Sequence, residues 1–129
     1  MNKILVEISV GELLDKISIL EIKKEKIKDS EKLKFINNEF NVLKEQLNKN
    51  VKSDQKLDDL FKSLKEINSK LWIIEDDKRM CEKNSDFGEK FVKLSRDVHF
   101  LNDDRAKIKL KMNNHSGSKI KEIKEYTSY

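Results

Sequence analysis

The sequence predicts an all-α protein: an antiparallel four-helix bundle with a short extended N-terminal arm and a flexible C-terminal tail. Three observations carry this. Pro is absent and Gly occurs only three times in 129 residues, so the residues that break helices and make turns are nearly missing. Apolar residues recur at spacings of three and four along four separate stretches. Charged residues make up 40% of the chain, as in helices with heavily solvated outer faces.

Each element follows from its own residues. "KILVEISV" alternates Ile4, Val6, Ile8 and Val10 with Lys3, Glu7 and Ser9, a period-two pattern that predicts a short strand or extended arm over 1–9. Ser9 followed by Glu12 forms a capping box, so helix 1 is expected over about 10–28. Leu13, Ile17, Leu20 and Ile27 make one apolar stripe, and Ile19 and Ile22 add another on the far side. A helix apolar on two sides is central or covered by a second subunit. A homodimer is therefore expected, since this helix has more apolar surface than one bundle needs.

Asp29 or Ser30 caps helix 2, expected over 31–50, with Ile36, Phe40, Leu43 and Leu47 as its seam. Ser53 is the expected cap of helix 3 over 54–83, whose seam runs through Leu57, Leu60, Leu64, Ile67, Leu71 and Ile74. "NSDFG" breaks the chain, and Ser85 is the expected cap of helix 4 over 86–113. That helix carries Phe91, Leu94, Val98, Leu101, Ile108 and Met112. Gly117 in "NNHSGS" supplies turn freedom at its end. Residues 1–115 thus read as one helical domain and 116–129 as a tail, partly extended and partly disordered.

Composition also narrows the function classes. The 28 basic and 24 acidic residues are well mixed, for a net charge of +4, and no one-signed basic stripe precedes the tail, which argues against nucleic-acid binding. One Cys, Cys81, excludes an internal disulfide framework and fits a reducing compartment. The N-terminal apolar run is too short for a signal peptide. No stretch reaches the ~18 apolar residues of a membrane span. A cytoplasmic protein is expected.

"KLWIIEDDKRM", residues 70–80, gathers the chain's only Trp, three consecutive acids and one of its three Arg. Successive helical residues turn by about 100°. On helix 3, Asn68, Trp72, Glu75, Asp76 and Arg79 then share one arc. On helix 1, Glu12, Asp15, Lys16, Ile19 and Lys23 do so. On helix 4, His99, Asn102, Asp103 and Ala106 form a third arc, with Arg105 and Lys109 at its edge. The chain uses Lys 25 times and Arg three times, so a retained Arg points to work that needs its planar fork of donors. Arg105 falls on the apolar seam between Leu101 and Ile108, where a charge must have a partner.

The expected site therefore comprises Glu12, Asp15, Lys16, Trp72, Glu75, Asp76, Arg79, Asn102, Asp103 and Arg105. Arg79, Arg105, Lys16 and Lys23 suit a carboxylate or phosphate, with Trp72 as an apolar or stacking wall. Glu12, Asp15, Glu75, Asp76 and Asp103 form a candidate Mg²⁺ set, as in all-α nucleotide pyrophosphohydrolases, although only Glu12-x-x-Asp15 matches their motif cleanly. Mg²⁺ is the one cofactor these residues suggest. A buried Arg–carboxylate network that only fixes helix register is the competing structural reading. Cys81 has no adjacent His and reads as a core or surface cysteine, and a zinc site would need more Cys and His than the chain has.

Three blocks, "ISVGELLDKISILEIKKEKI", "LWIIEDDKRMCEKNSDFGEKF" and "LNDDRAKIKLKMN", resemble a small bacterial family, domain of unknown function 6165. Its pattern matches Ser9 to Lys16, Trp72 to Asp77, Asp86 to Gly88, and Asn102 to Ala106. His99 departs from the aromatic residue more usual there. The resemblance implies that the polar spot is a family trait, and it carries no reaction with it. From these residues the expected function is a binding module for an anionic or phosphorylated small ligand. The alternatives are a Mg²⁺-dependent phosphohydrolase on the same acids, or a scaffold for partner proteins.

Overall fold

The computed structural model describes residues 3–129 and is all-helical within them. Residues 1 and 2 of the expected arm lie outside the described residues. The helices are α1, Val10–Lys26; α2, Ser30–Asn50; α3, Gln55–Lys83; and α4, Glu89–Ser116. They form a four-helix bundle in which α1 touches all three others, α3 and α4 pair with each other, and α2 packs on α1. No helix among the described residues is long and apolar enough to cross a membrane.

The central place of α1 follows from its two apolar sides. Leu13, Leu14, Ile17, Leu20 and Ile22 are all buried. The surplus apolar surface that suggested a second subunit is thus covered within the chain, and that argument for a homodimer loses its premise. Leu14, Leu57, Leu64 and Met112 form the core cluster where α1, α3 and α4 meet, with Leu47 of α2 packed against it. Of the α2 seam, Ile36 is buried and Phe40, Leu43 and Leu47 are partly buried.

The caps show where local chemistry decided. Ser9 Oγ accepts the Glu12 amide proton at 3.0 Å, as expected. Glu12 does not complete the capping box, because its carboxylate turns to Lys109 at 2.8 Å. Asp29 caps α2 by accepting from the amides of Glu31 and Lys32. Asp54, and not Ser53, caps α3, its carboxylate taking the Leu57 amide at 2.8 Å, while the Ser53 hydroxyl bonds Asp58. The expected Ser85 cap is also corrected. Ser85 takes a left-handed φ of 53° in the turn after α3, and α4 starts three residues later from Gly88, with no side-chain cap. α4 runs on through His115 and Ser116 and stops at Gly117, in the left-handed region at φ 66°.

The arm over 3–9 is extended and unpaired, with no strand. The tail after Gly117 is non-helical. It lies back along α4, with Lys121 bonding Asn114 at 2.7 Å and Glu122 reaching Lys109 at 3.4 Å.

Where α1 begins, it is clamped to α4. The Gly11 amide donates to Asn113 Oδ1 at 2.7 Å, and the Val10 amide to Ser118 Oγ at 3.4 Å, so amides that a helix start leaves unpaired find partners on another element. A Cβ at position 11 would lie 2.6 Å from the Lys109 carbonyl oxygen, a backbone atom. Gly11 is therefore required for close approach. Gly11→Ala should lower the unfolding free energy by about 1–3 kcal/mol through overpacking, despite the ~1 kcal/mol of helix propensity that alanine adds. Urea denaturation followed by circular dichroism measures it, and an unchanged or higher midpoint would contradict the close-packing account.

Candidate functional site

The site is built around a carboxylate in the core. Asp15 is 2% exposed because α1 is central and Asp15 faces the α3–α4 pair. Such a group must be hydrogen-bonded and paired. Arg105 of α4 grips it with two parallel bonds, Nε to Oδ1 at 3.0 Å and Nη2 to Oδ2 at 2.5 Å. Asn68 of α3 donates to Oδ1 at 2.9 Å and to Ser18 Oγ at 2.8 Å. The Ser18 hydroxyl returns to the Asp15 carbonyl at 2.8 Å. Lys109, one turn beyond Arg105, lies 3.6 Å from Oδ2 and bonds Glu12 at 2.8 Å.

These contacts decide the protonation of the cluster. Burial pushes the Asp15 carboxyl up, but hydrogen bonds from Arg105 and Asn68 and the charges of Arg105 and Lys109 outweigh it and hold the carboxyl below the usual carboxylate range. The hydrogen bond to Asp15 raises the Arg105 guanidinium. Burial lowers the Lys109 ammonium, and Glu12, Asp15 and Glu122 more than reverse that. Asp15, Arg105 and Lys109 are thus held in their charged forms at neutral pH.

Two hollows open on either side of Arg105. The first, about 390 Å³, has Ile19 and Ile22 of α1 and Leu71 and Trp72 of α3 as apolar walls. Asn68, Glu75, Asp76, Arg79 and Arg105 supply its polar part. Arg79 Nη1 bonds the Glu75 carboxylate and carbonyl, each at 3.0 Å, with its side chain 73% exposed. The second hollow, about 210 Å³, is almost wholly polar. Glu12, Asp15, Asn102, Lys109, and Glu122 and Lys124 from the tail line it with Arg105.

Trp72, Glu75, Asp76, Arg79 and Arg105 come together in the first cleft. Glu12, Asp15, Asn102 and Arg105 line the second, where Asn102 Oδ1 accepts from Arg105 at 3.3 Å. Lys16 lines neither and faces only Glu12 at 3.9 Å. Lys23 lines neither. Asp103 is not brought in: it accepts a hydrogen bond from the Tyr129 hydroxyl, beside the His99 and Phe100 rings. The Mg²⁺ set is likewise dispersed. Asp15 belongs to Arg105, Glu12 to Lys109, Glu75 to Arg79 and Asp103 to Tyr129. Among the described residues no group of three or more His, Cys, Asp or Glu is placed to hold a metal.

Sequence reasoning left out Asn68, Ser18, Lys109 and Glu122 as site members. Asn68 and Lys109 had a signal, being polar residues beside or on an apolar seam. Ser18 and Glu122 had none.

A model of one family, described as a family of unknown function, DUF6165, matches residues 4–129. The chain belongs to the DUF6165 family. The match takes in α1 to α4 and the tail, and so every residue of both hollows of this DUF6165 member. Neither curated proteins nor solved structures gave a match.

Asp15→Ala leaves Arg105 without its partner and should cost about 3 kcal/mol of stability, the low end for breaking a buried pair because Arg105 keeps some solvent contact. Asp15→Leu combined with Arg105→Met should recover most of it. Asp15 also sets a pH dependence. Its folded-state value lies below the unfolded one, so its contribution is full above the unfolded carboxyl value near 4 and is lost as pH falls through the folded value. The acid limb of a stability–pH curve should be shallower in the double variant; an identical limb would remove Asp15 from acid unfolding.

Proposed function

We propose that this DUF6165 protein is a binding module for a small amphipathic ligand, held in the α1/α3/α4 cleft. One observation carries the reading: the chain's only Trp and two of its three Arg, from two helices, line the same apolar-walled cleft. Clefts of several hundred Å³, apolar with a few convergent polar groups, are what small ligands use. The apolar body of the ligand packs on Trp72, Ile19 and Leu71, and its charged or polar head meets the rim of Glu75, Asp76 and Arg79. An anion held by four cations is less favoured by this geometry. Lys16 and Lys23 are elsewhere, and Arg105 has its charge matched by Asp15.

Trp72 is its own reporter. 2-Phenylethanol, whose phenyl ring does not absorb where indole is selectively excited, should shift or quench Trp72 emission saturably. Ile19→Gln, on the half-exposed cleft wall, should weaken that response about tenfold, the equivalent of ~1.4 kcal/mol, with the melting temperature little changed. A linear, unsaturable response in both proteins would sink the proposal.

The arm supports a second reading, weak self-association. Ile4, Leu5 and Val6 are 86%, 92% and 73% exposed, and an extended unpaired segment is a template for another strand. If two arms pair antiparallel about Leu5, Lys3 of each falls opposite Glu7 of the other and Ile4 opposite Val6. A ribbon this short is marginal by itself, so the dimer should depend on concentration. Light scattering should show Lys3→Glu reducing dimerisation and Lys3→Glu with Glu7→Lys restoring it; indifference to both changes would count against the pairing.

A further inference from the structure

We infer that the head group accepted at the Trp72 cleft is cationic, a protonated or quaternary amine. This rests on the cleft reading above and reverses the sign of ligand charge that the arginines suggest in the sequence. Arg105 supplies a guanidinium to the cleft, but Asp15 neutralises it through two bonds at 3.0 and 2.5 Å. Arg79 supplies the other, and Glu75 neutralises it at 3.0 Å. That leaves Asp76, which has no ion-pair partner among the described residues. Behind the cleft Lys109 also stands 3.6 Å from Asp15 and bonds Glu12 at 2.8 Å, so among the described residues Asp76 is the one charged group lining the cleft without an ion-pair partner.

The second observation is the ring. Asp76 lies one helical turn from Trp72, so the two project from the same face of α3. Elsewhere the chain places its own cations over aromatic rings: Lys24 over Phe40, Lys78 over Phe91, Arg96 over Phe100 and Lys124 over Tyr126. Among the described residues none lies over Trp72, although indole is the best ring for a cation. An indole face beside an unneutralised carboxylate, in a cleft with apolar walls, is the arrangement that recognises an ammonium carried on an apolar body.

Three probes share a body and differ in head: 2-phenylethylamine, 2-phenylethanol and phenylacetate, each titrated against the full chain with Trp72 emission as readout. The amine is expected to bind several-fold more tightly than the alcohol, and phenylacetate more weakly than either. Asp76→Asn should weaken the amine about fivefold to tenfold and the alcohol much less. Raised salt should weaken the amine selectively. If the alcohol binds and the amine binds no better, the cation is overturned while the cleft stands. If phenylacetate binds tightest and loses that preference in Arg79→Gln, the site is an anion site and the inference is overturned in that direction. If no probe gives a saturable response, the cleft reading falls, and this inference with it.

Discussion

One carboxylate sets the geometry of this molecule. Asp15 stands in the core on the central helix, and a charge there survives only if partners come to it. They come from both neighbouring helices: Asn68 from α3, and Arg105 and Lys109 from α4. A pair of this kind adds little net stability over apolar residues of the same size, since desolvation consumes most of the attraction. Its consequence is register. Sliding α3 or α4 by one turn would strand Asp15, whereas the leucine seams would tolerate the slip better. The Gly11 contact with Lys109 and Asn113 adds a fixed distance one turn earlier on α1. Together they pin three helices along about two turns.

The cleft follows from that pinning. Arg105 stands between the two hollows, its fork spent on Asp15 and one further donor on Asn102, so it acts as a wall more than as a free charge. The second hollow is filled with matched charges, and the tail adds Glu122 and Lys124 to it. The first is different in kind. Apolar walls meet a rim whose one unmatched group is Asp76. A polar cluster chosen only to fix register would have no use for that open, Trp-walled space beside it, and this is why the register reading accounts for Asp15 and Arg105 but not for Trp72.

What the sequence disclosed follows a physical division. Helical arcs gave the face each residue takes, and Trp72, Glu75, Asp76 and Arg79 from one arc of α3 line one cleft. The seam position of Arg105 demanded a partner, and Asp15 is that partner. Arcs do not give axial register between helices, so Lys16 and Asp103, on plausible faces, end elsewhere, while Lys109 one turn on is drawn in. Caps were legible to within three positions. Asp54 outcompetes Ser53 because a carboxylate accepts the amide more strongly than a hydroxyl does. α4 starts late because the "NSDFG" turn keeps Ser85 left-handed. The reach of Glu122 back to Lys109 spans a loop that no periodicity encodes.

The cleft also lies where the bundle changes character. On α3 the buried residues are Leu57, Leu64, Asn68 and Leu71, and beyond them only Cys81; on α4 burial begins at Met112. Between Trp72 and Phe100 burial is sparse, with Ile73, Met80, Phe87 and Val92 about half exposed. Segments with few buried contacts open at lower free energy than the core that carries them. Ile19 and Ile22 belong to the firm side of this boundary, and Glu75, Asp76 and Arg79 to the soft side. A ligand seated between them would gain contacts only when the soft hairpin is ordered against α1. Under the proposed cleft binding, binding free energy and the order of the hairpin would therefore be linked, each favouring the other.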